Sequence, residues 1–312
     1  MLSNRCSTSP DVPQSDLSSQ TFIDCINKVK ALSLQEFDRQ IQAHQLYYHT
    51  RDHIVQVQRR SQLIYEAIRS DLGADAIDQI ERLLDLCVIA HDMVQVFEVQ
   101  LQPHMARYRS IGVSEAATLA RLFDYLDLHC STVSIEGDRF IIRSAINATI
   151  CNFDVREQSI YQPALNQPDL PIVARILALA DLGALGIDGI AMYNREGSLL
   201  FLEENLDVVP LLQSGAIVDL EVTDPALAEN IRQRLLRRCR FQVNLAKSRL
   251  ARFEQEIEAF PKGAIDKLRR EVFQYLTAAT IQEIEATTPR SDRTSLKELL
   301  EFFDFEQYLS RT

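Results

Sequence analysis

Apolar residues recur at three- and four-residue spacing along most of the chain from Thr21 onward, the mark of amphipathic helices. "TFIDCINKVKAL" places Phe22, Ile26 and Val29 on one stripe, and "LQEFDRQIQAHQLY" places Phe37, Ile41 and Leu46 on another. "DHIVQVQRRSQLIYEAIRS" carries Ile54, Val57, Ile64 and Ile68, and "ADAIDQIERLLDLCVIAHD" carries Ile77, Ile80, Leu83, Leu84, Cys87 and Val88. "SEAATLARLFDYLDLH" opens with Ser114, a candidate N-cap. "DRFIIRSAINATI" and "LPIVARILALADLGALG" are apolar on almost every side, as expected of helices at the centre of a bundle. Asp169 and Pro171 make a start for the second of these, and Gly183 or Gly186 a stop. Period-2 alternation is scarce. A short hairpin around "YNREGSLLF" is compatible with the pattern but not required by it. The chain therefore reads as all-α.

The last third has a different texture. From Pro225, "DPALAENIRQRLLRRCRFQVNLAKSRLARFEQEIEAF" runs more than thirty residues without a further Gly or Pro. Leu227, Ile231, Leu235, Val243, Ala246, Leu250, Phe253 and Ile257 trace one apolar seam. The other face holds Arg232, Arg234, Arg237, Arg238, Arg240, Lys247, Arg249 and Arg252, which suits the solvated face of a packing helix or a basic surface for a nucleotide, an RNA or a partner. The seam can pair within one chain or across a homodimer. Further helices are expected near 263–285 and 294–310. The expected organisation is a mobile tail over 1–20, a helical domain over 21–214, and a C-terminal helical subdomain over 215–312 built on the long amphipathic helix.

Composition narrows the class. The chain has 312 residues, 46% of them hydrophobic and 25% charged, an ordinary balance for a globular protein with a sizeable core. Its formal net charge of −11 argues against nucleic acid or an anionic membrane as a general partner, while leaving room for a local phosphate pocket. The six cysteines are scattered with no C-x-x-C pair, which predicts reduced thiols and a cytoplasmic protein. No apolar run approaches the ~20 residues of a membrane span, and the first residues, "MLSNRCSTSPDVPQSDLSSQ", have no apolar stretch of the signal-peptide kind.

Candidate chemistry lies in three places. "LCVIAHDMVQ" ends a strongly apolar helix with His91 and Asp92, ionisable neighbours that are costly unless partnered. In "RILALADLGALG", Asp181 is the only charge between Arg175 and Asp188, and a carboxylate in such surroundings needs a cation, an arginine or several hydrogen bonds. "YYHTRDH" sets His49 and His53 four positions apart. A histidine, a His-Asp doublet and a lone aspartate on separate apolar helices form a set of nitrogen and oxygen ligands for one divalent metal, with Fe, Mn, Ni, Co or Zn favoured over Ca, and Mg compatible. The spacing in "YYHTRDH" also invites comparison with the zinc-protease motif, but Thr50 stands where that motif has its catalytic glutamate. "LGALGIDG" lacks the glycine spacing and the preceding strand of a dinucleotide fingerprint.

The order His49, His91-Asp92, Asp181 resembles the signature of the HD superfamily of metal-dependent phosphohydrolases. "YYHTRDHI" is similar to the Tyr-His-x-x-x-His opening of one branch of predicted hydrolases, "IAHDMVQ" resembles the family's His-Asp segment, and "LALADLGALG" its closing aspartate helix. The resemblance covers about residues 20–200 and implies an HD-type helical bundle followed by a C-terminal extension. It implies His49, His91, Asp92 and Asp181 as metal ligands, with Asp92 also orienting a metal-activated water that attacks phosphorus. Glu115, in "GVSEAATLA", matches a position where relatives carry Asn-Glu before a small-residue helix, which implies a general-base or supporting role. His53 is expected either to touch the phosphate or a second metal, or to be a satisfied helix histidine. Two-metal relatives carry additional histidines between the doublet and the last aspartate, where this chain has only His104 and His129, so a single ion is expected. Arg51, Arg107 and Arg109 are candidate phosphate clamps. The expected activity is that of a phosphomonoesterase or phosphodiesterase acting on a small phosphorylated molecule such as a nucleotide. The alternative is a regulatory HD-fold protein that binds a nucleotide or partner without turnover, and a purely structural helical scaffold is the third reading.

Overall fold

The computed structural model describes residues 14–100, 102–130 and 136–308. Helix α1 (Gln14–His44) leads into α2 (Arg51–Ile68), α3 (Ala74–Ala90), α4 (Val113–His129) and α5 (Glu136–Ala148). A two-stranded antiparallel hairpin follows, β1 (Asn152–Asp154) with β2 (Ser159–Tyr161), and is the only sheet among the described residues. The chain then returns to helix with α6 (Ile172–Asp181), α7 (Ile190–Glu204), α8 (Val208–Gln213), α9 (Leu220–Thr223), α10 (Pro225–Ile257), α11 (Lys262–Lys267), α12 (Ala278–Thr287) and α13 (Leu296–Phe302). The fold is all-α, as the hydrophobic spacing predicts. Of the segment expected as a tail, residues 1–13 lie outside the described residues and 14–20 form the first turns of α1.

Helix α6 is the axle. Every residue from Val173 to Ala180 is buried, and the helix packs against α2, α3 and α5. An all-round apolar sequence has this consequence: with no polar face to offer water, the helix is stable only when surrounded. Pro171 precedes its first turn and Gly183 follows Asp181, matching the expected start and stop. Ser114 departs from expectation. The N-cap of α4 is Gly112, in the left-handed region at φ 75°, while the Ser114 hydroxyl accepts from Val96 N at 3.1 Å and pins the incoming loop. The "YNREGSLLF" stretch is part of α7 rather than a hairpin. The hairpin instead forms at "NFD" and "SIY", where the carboxylate of Asp154 accepts from Arg156 N at 2.9 Å and so closes the turn.

Two hydrophobic cores meet along α10. The larger joins α1 to α6 with Val243, Ala246, Phe253 and Ile257 of α10 and with residues of α11 and α12. The smaller joins Phe201, Leu202 and α8 with Ile231, Leu235, Leu236 and Cys239 of α10 and with α13. The apolar seam of α10 is thus satisfied within one chain. Asp224 caps the helix by accepting from Leu227 N at 3.0 Å, and Pro225 occupies its first turn.

The arginines on the other face of α10 are largely engaged. Arg234 bonds Asp207 through both terminal nitrogens at 2.8 Å, Arg240 pairs with Asp292 at 2.6 Å, Arg249 with buried Glu256 at 2.7 Å, and Arg252 with Asp154 at 2.9 Å. Scattered cysteines predict thiols throughout. The structure instead pairs Cys25 of α1 with Cys130, just past α4, as a disulfide with Cα atoms 5.6 Å apart. Cys87 and Cys239 are buried free thiols, Cys151 is a half-buried one, and Cys6 lies outside the described residues. No described helix is long and apolar enough to cross a membrane.

Candidate metal centre

Three helices deliver four side chains to one point. His53 stands in the first turn of α2, His91 and Asp92 follow the last residue of α3, and Asp181 ends α6. One ligand atom from each of His53, His91, Asp92 and Asp181 lies within 4.8 Å of every other. His53 Nε2 is 3.2 Å from Asp92 Oδ2 and 3.5 Å from Asp181 Oδ1. His91 Nε2 is 3.0 Å from Asp92 Oδ2 and 3.7 Å from Asp181 Oδ1. Ligand bonds of about 2.1 Å in tetrahedral array separate ligand atoms by about 3.4 Å, so these spacings match a single cation.

The hydrogen bonds around the cluster point the same way. His91 Nδ1 lies 2.7 Å from Val88 O and donates to it, which points Nε2 toward the carboxylates. Both ring nitrogens of His53 and Nε2 of His91 are buried with no hydrogen-bond partner. Buried polar atoms are seldom left so, and here the Nε2 atoms converge on a shared point between two carboxylates. Gln162 Nε2 donates to Asp181 Oδ2 at 3.3 Å and turns Oδ1 toward the histidines, while Gln95 Nε2 donates to Asp92 Oδ1 at 3.3 Å. The donor set of two imidazoles and two carboxylates could hold a divalent metal ion.

The cluster's protonation reflects its crowding. Burial opposes charge on His91 and His53, but the carboxylates of Asp92 and Asp181 outweigh it, holding His53 above its ordinary value and His91 well above. Burial likewise opposes charge on the carboxyls, yet His91 and His49 hold Asp92 well below the usual carboxylate range, and the adjacent side chains of His53 and His91 bring Asp181 to about 2. A set of mutually compensating charges of this kind is what a cation would reorganise on binding.

His49, the first ligand expected from the sequence, sits beside the cluster. It precedes α2, so the four-residue spacing to His53 is not a helical turn, and its Nε2 is 3.8 Å from Asp92 Oδ2. Its Nδ1 is bonded to Glu203 Oε1, and its Nε2 accepts from Arg109 Nη1 at 3.0 Å. Glu203 is buried at the end of α7, where its second oxygen accepts the backbone amides of Tyr47, Tyr48 and His49, each at 3.0 Å. Burial works against this carboxylate, but His49, Arg109 and those amides bring it to about 2. The four-residue cluster thus contains His53, with His49 beside it.

A cavity of about 410 Å³ opens onto Asp92 and Asp181 and is also lined by His49, Arg109 and Glu115. Burial first, then the charges of Asp92 and Asp181, hold the carboxyl of Glu115 above its ordinary value against its own backbone amide and Arg109. Of the three candidate phosphate clamps, only Arg109 reaches this cavity. Arg51 is half exposed and paired with Asp38 through two contacts of 2.6 Å. Arg107 spends its guanidinium on Glu203 O at 2.6 Å and His44 O at 2.8 Å, stacked 3.7 Å from the Phe97 ring centre. His104 pairs with Asp207 at 3.1 Å, and neither it nor His129 belongs to the cluster. Glu203, Gln95 and Gln162 carry no motif. The only signal for Glu203 is an acidic residue directly after the apolar run "LLFL". No family model, curated protein or solved structure matches this chain.

Proposed function

We propose that the protein is a metal-dependent phosphohydrolase of the HD type, acting on a small phosphorylated molecule. The observation that carries this reading is the convergence of His53 Nε2, His91 Nε2, Asp92 and Asp181 on one buried point, with the two carboxylates opening onto a cavity. The same four side chains would hold the ion. A bound divalent cation supplies a Lewis acid for a phosphoryl oxygen and lowers the pKa of a coordinated water.

The chain's own groups divide the remaining work. Arg109 faces the cavity beside Asp92 and neutralises charge on the phosphoryl oxygens. Glu115, with its carboxyl raised toward neutrality by burial, accepts the proton of the attacking water. His49, held by Glu203 at Nδ1, accepts from Arg109 at Nε2 and so keeps that guanidinium aimed at the cavity. His49 thus serves as a positioning residue beside the ligands.

The test is elemental analysis of the purified protein, followed by a panel of phosphomonoesters and phosphodiesters with the metal found. About one transition-metal ion per chain and phosphoester turnover, both lost in His91→Ala and Asp181→Ala, are the expected results. Full turnover in those variants refutes the reading. Ligand-induced thermal stabilisation with no turnover on any ester would favour a binding protein instead.

A further inference from the structure

The cavity that reaches Asp92 and Asp181 has a second wall that the proposed chemistry does not use. Phe153 of β1, Ile160 of β2 and Phe241 of α10 line it. Phe153 is 49% exposed, and Ile111 on the same cavity is 65% exposed. Large apolar side chains left open around one concavity are a ligand-contact signature, whereas scattered ones are ordinary.

This wall is held rigidly. Arg252 of α10 bonds Asp154 at 2.9 Å and Glu157 at 2.9 Å and lies 4.3 Å from the Tyr161 ring centre. Ser248 of α10 donates to Glu157 at 2.7 Å. The hairpin is therefore clamped to α10, and Phe153 is carried on a braced element. Phe241 is placed as firmly. Its neighbour Gln242 is buried against Gly197 of α7, where a Cβ would stand 2.0 Å from Gln242 Nε2, so only glycine lets α10 approach this closely. Arg238, ion-paired to Glu204, lies 5.6 Å from the Phe241 ring centre. The volume, about 410 Å³, is near the lower end for pockets that hold small organic ligands.

We propose that α10 and the hairpin form the specificity wall of the site, and that Phe153, Ile160 and Phe241 hold a flat apolar ring borne by the ligand's organic half. The inference rests on the phosphohydrolase reading for where the phosphoryl group sits. The ligand class is then a phosphate ester of a ring-bearing group of modest size. An open-chain polyol phosphate would leave the aromatic faces wet.

Equilibrium binding of 1-naphthylphosphonate and methylphosphonate to the metal-loaded protein tests this without turnover. The naphthyl compound is expected to bind at least about tenfold more tightly, from stacking on two rings. Phe153→Ala and Phe241→Ala are each expected to weaken it about three- to tenfold while leaving methylphosphonate unchanged. Phe241→Leu, which keeps apolar volume but loses the flat face, guards against a folding defect and is expected to show a smaller loss of the same kind. Equal affinity for the two phosphonates, or variants that weaken both equally, overturns the proposal. The hydrolase reading fails separately: naphthyl preference with no turnover of 1-naphthyl phosphate or glycerol 3-phosphate sinks the activity and keeps the wall. Turnover of both esters without naphthyl preference does the reverse.

Discussion

At the junction of α2, α3 and α6, Nε2 of His53 and Nε2 of His91 are buried and face the carboxylates of Asp92 and Asp181 at 3.0–3.7 Å, and those carboxylates line a cavity. Along α10, charged groups are buried too, but Arg234 is fastened to Asp207 and Arg249 to Glu256 by direct ion pairs. Both regions pay the cost of taking charge out of water. In the second the compensation is built into the protein and ties a long helix to its neighbours. In the first the histidines and carboxylates answer one another at a single point that could also hold a cation. Bulk burial does not separate the two regions, nor does the presence of an unsatisfied atom, since Arg234 Nε and Glu256 Oε2 are buried without a hydrogen bond too. Convergence does: two imidazoles and two carboxylates meet at one point beside a cavity, whereas the α10 charges form separate ion pairs.

The largest effects should come from breaking the first region. Asp181→Asn or His91→Ala should reduce bound metal to trace levels and turnover to background, read by elemental analysis and a phosphoester assay. The melting temperature with chelator present should change far less than activity. If metal is retained in both variants, the assignment of the cluster fails.

On the α10 side the same type of substitution should affect stability and spare chemistry. Arg249→Ala leaves Glu256 buried without its cation, and about 3–5 kcal/mol of unfolding free energy should be lost in denaturant titration. The double replacement Arg249→Met with Glu256→Leu should restore most of it. A double variant as unstable as the single one would show that the pair is not an isolated unit.

Glu203→Gln lies between the regions, since Glu203 is fully partnered yet holds a group at the cavity. Turnover should fall about 10–100-fold, the usual cost of losing an orienting partner, with metal content unchanged. Loss of metal would place His49 back among the ligands.

Asp207→Asn provides a pH test. Burial opposes charge on Asp207, but Arg234 and His104 outweigh it and lower its pKa in the folded protein. Its ion pair therefore stabilises the fold above the unfolded-state value of about 3.9 and is lost as pH falls through the lower folded value. The variant should be about 1.5–3 kcal/mol less stable than wild type at neutral pH, with the gap closing below about pH 4. A gap that does not narrow at all as the pH falls below about 4 would contradict the assignment.

The smallest effect belongs to Arg51→Ala. Its pair with Asp38 is half exposed, so stability should change by less than about 1 kcal/mol and turnover not at all. A large rise in KM would restore Arg51 as a phosphate clamp.

Much of the site was legible in one dimension. His91 with Asp92, and Asp181 alone in an apolar run, stood out because a charge in a hydrophobic stripe has to be answered by something. Glu115 and Arg109 were named among the candidates and do line the cavity. Periodicity likewise determined an all-α fold and marked α6 as central, since the period of an apolar stripe reports which face is covered. What it does not report is which helix does the covering, or where a helix begins. With α2 starting at Arg51, His53 turns into the cluster and His49 falls outside it to meet Glu203, 154 residues away. The pairing of Cys25 with Cys130, the engagement of the α10 arginines, and the aromatic wall shared by Phe153 and Phe241 are likewise contacts between segments remote in sequence. Local spacing sets the elements and their buried faces. Partners across the core are chosen by packing, which no local pattern encodes.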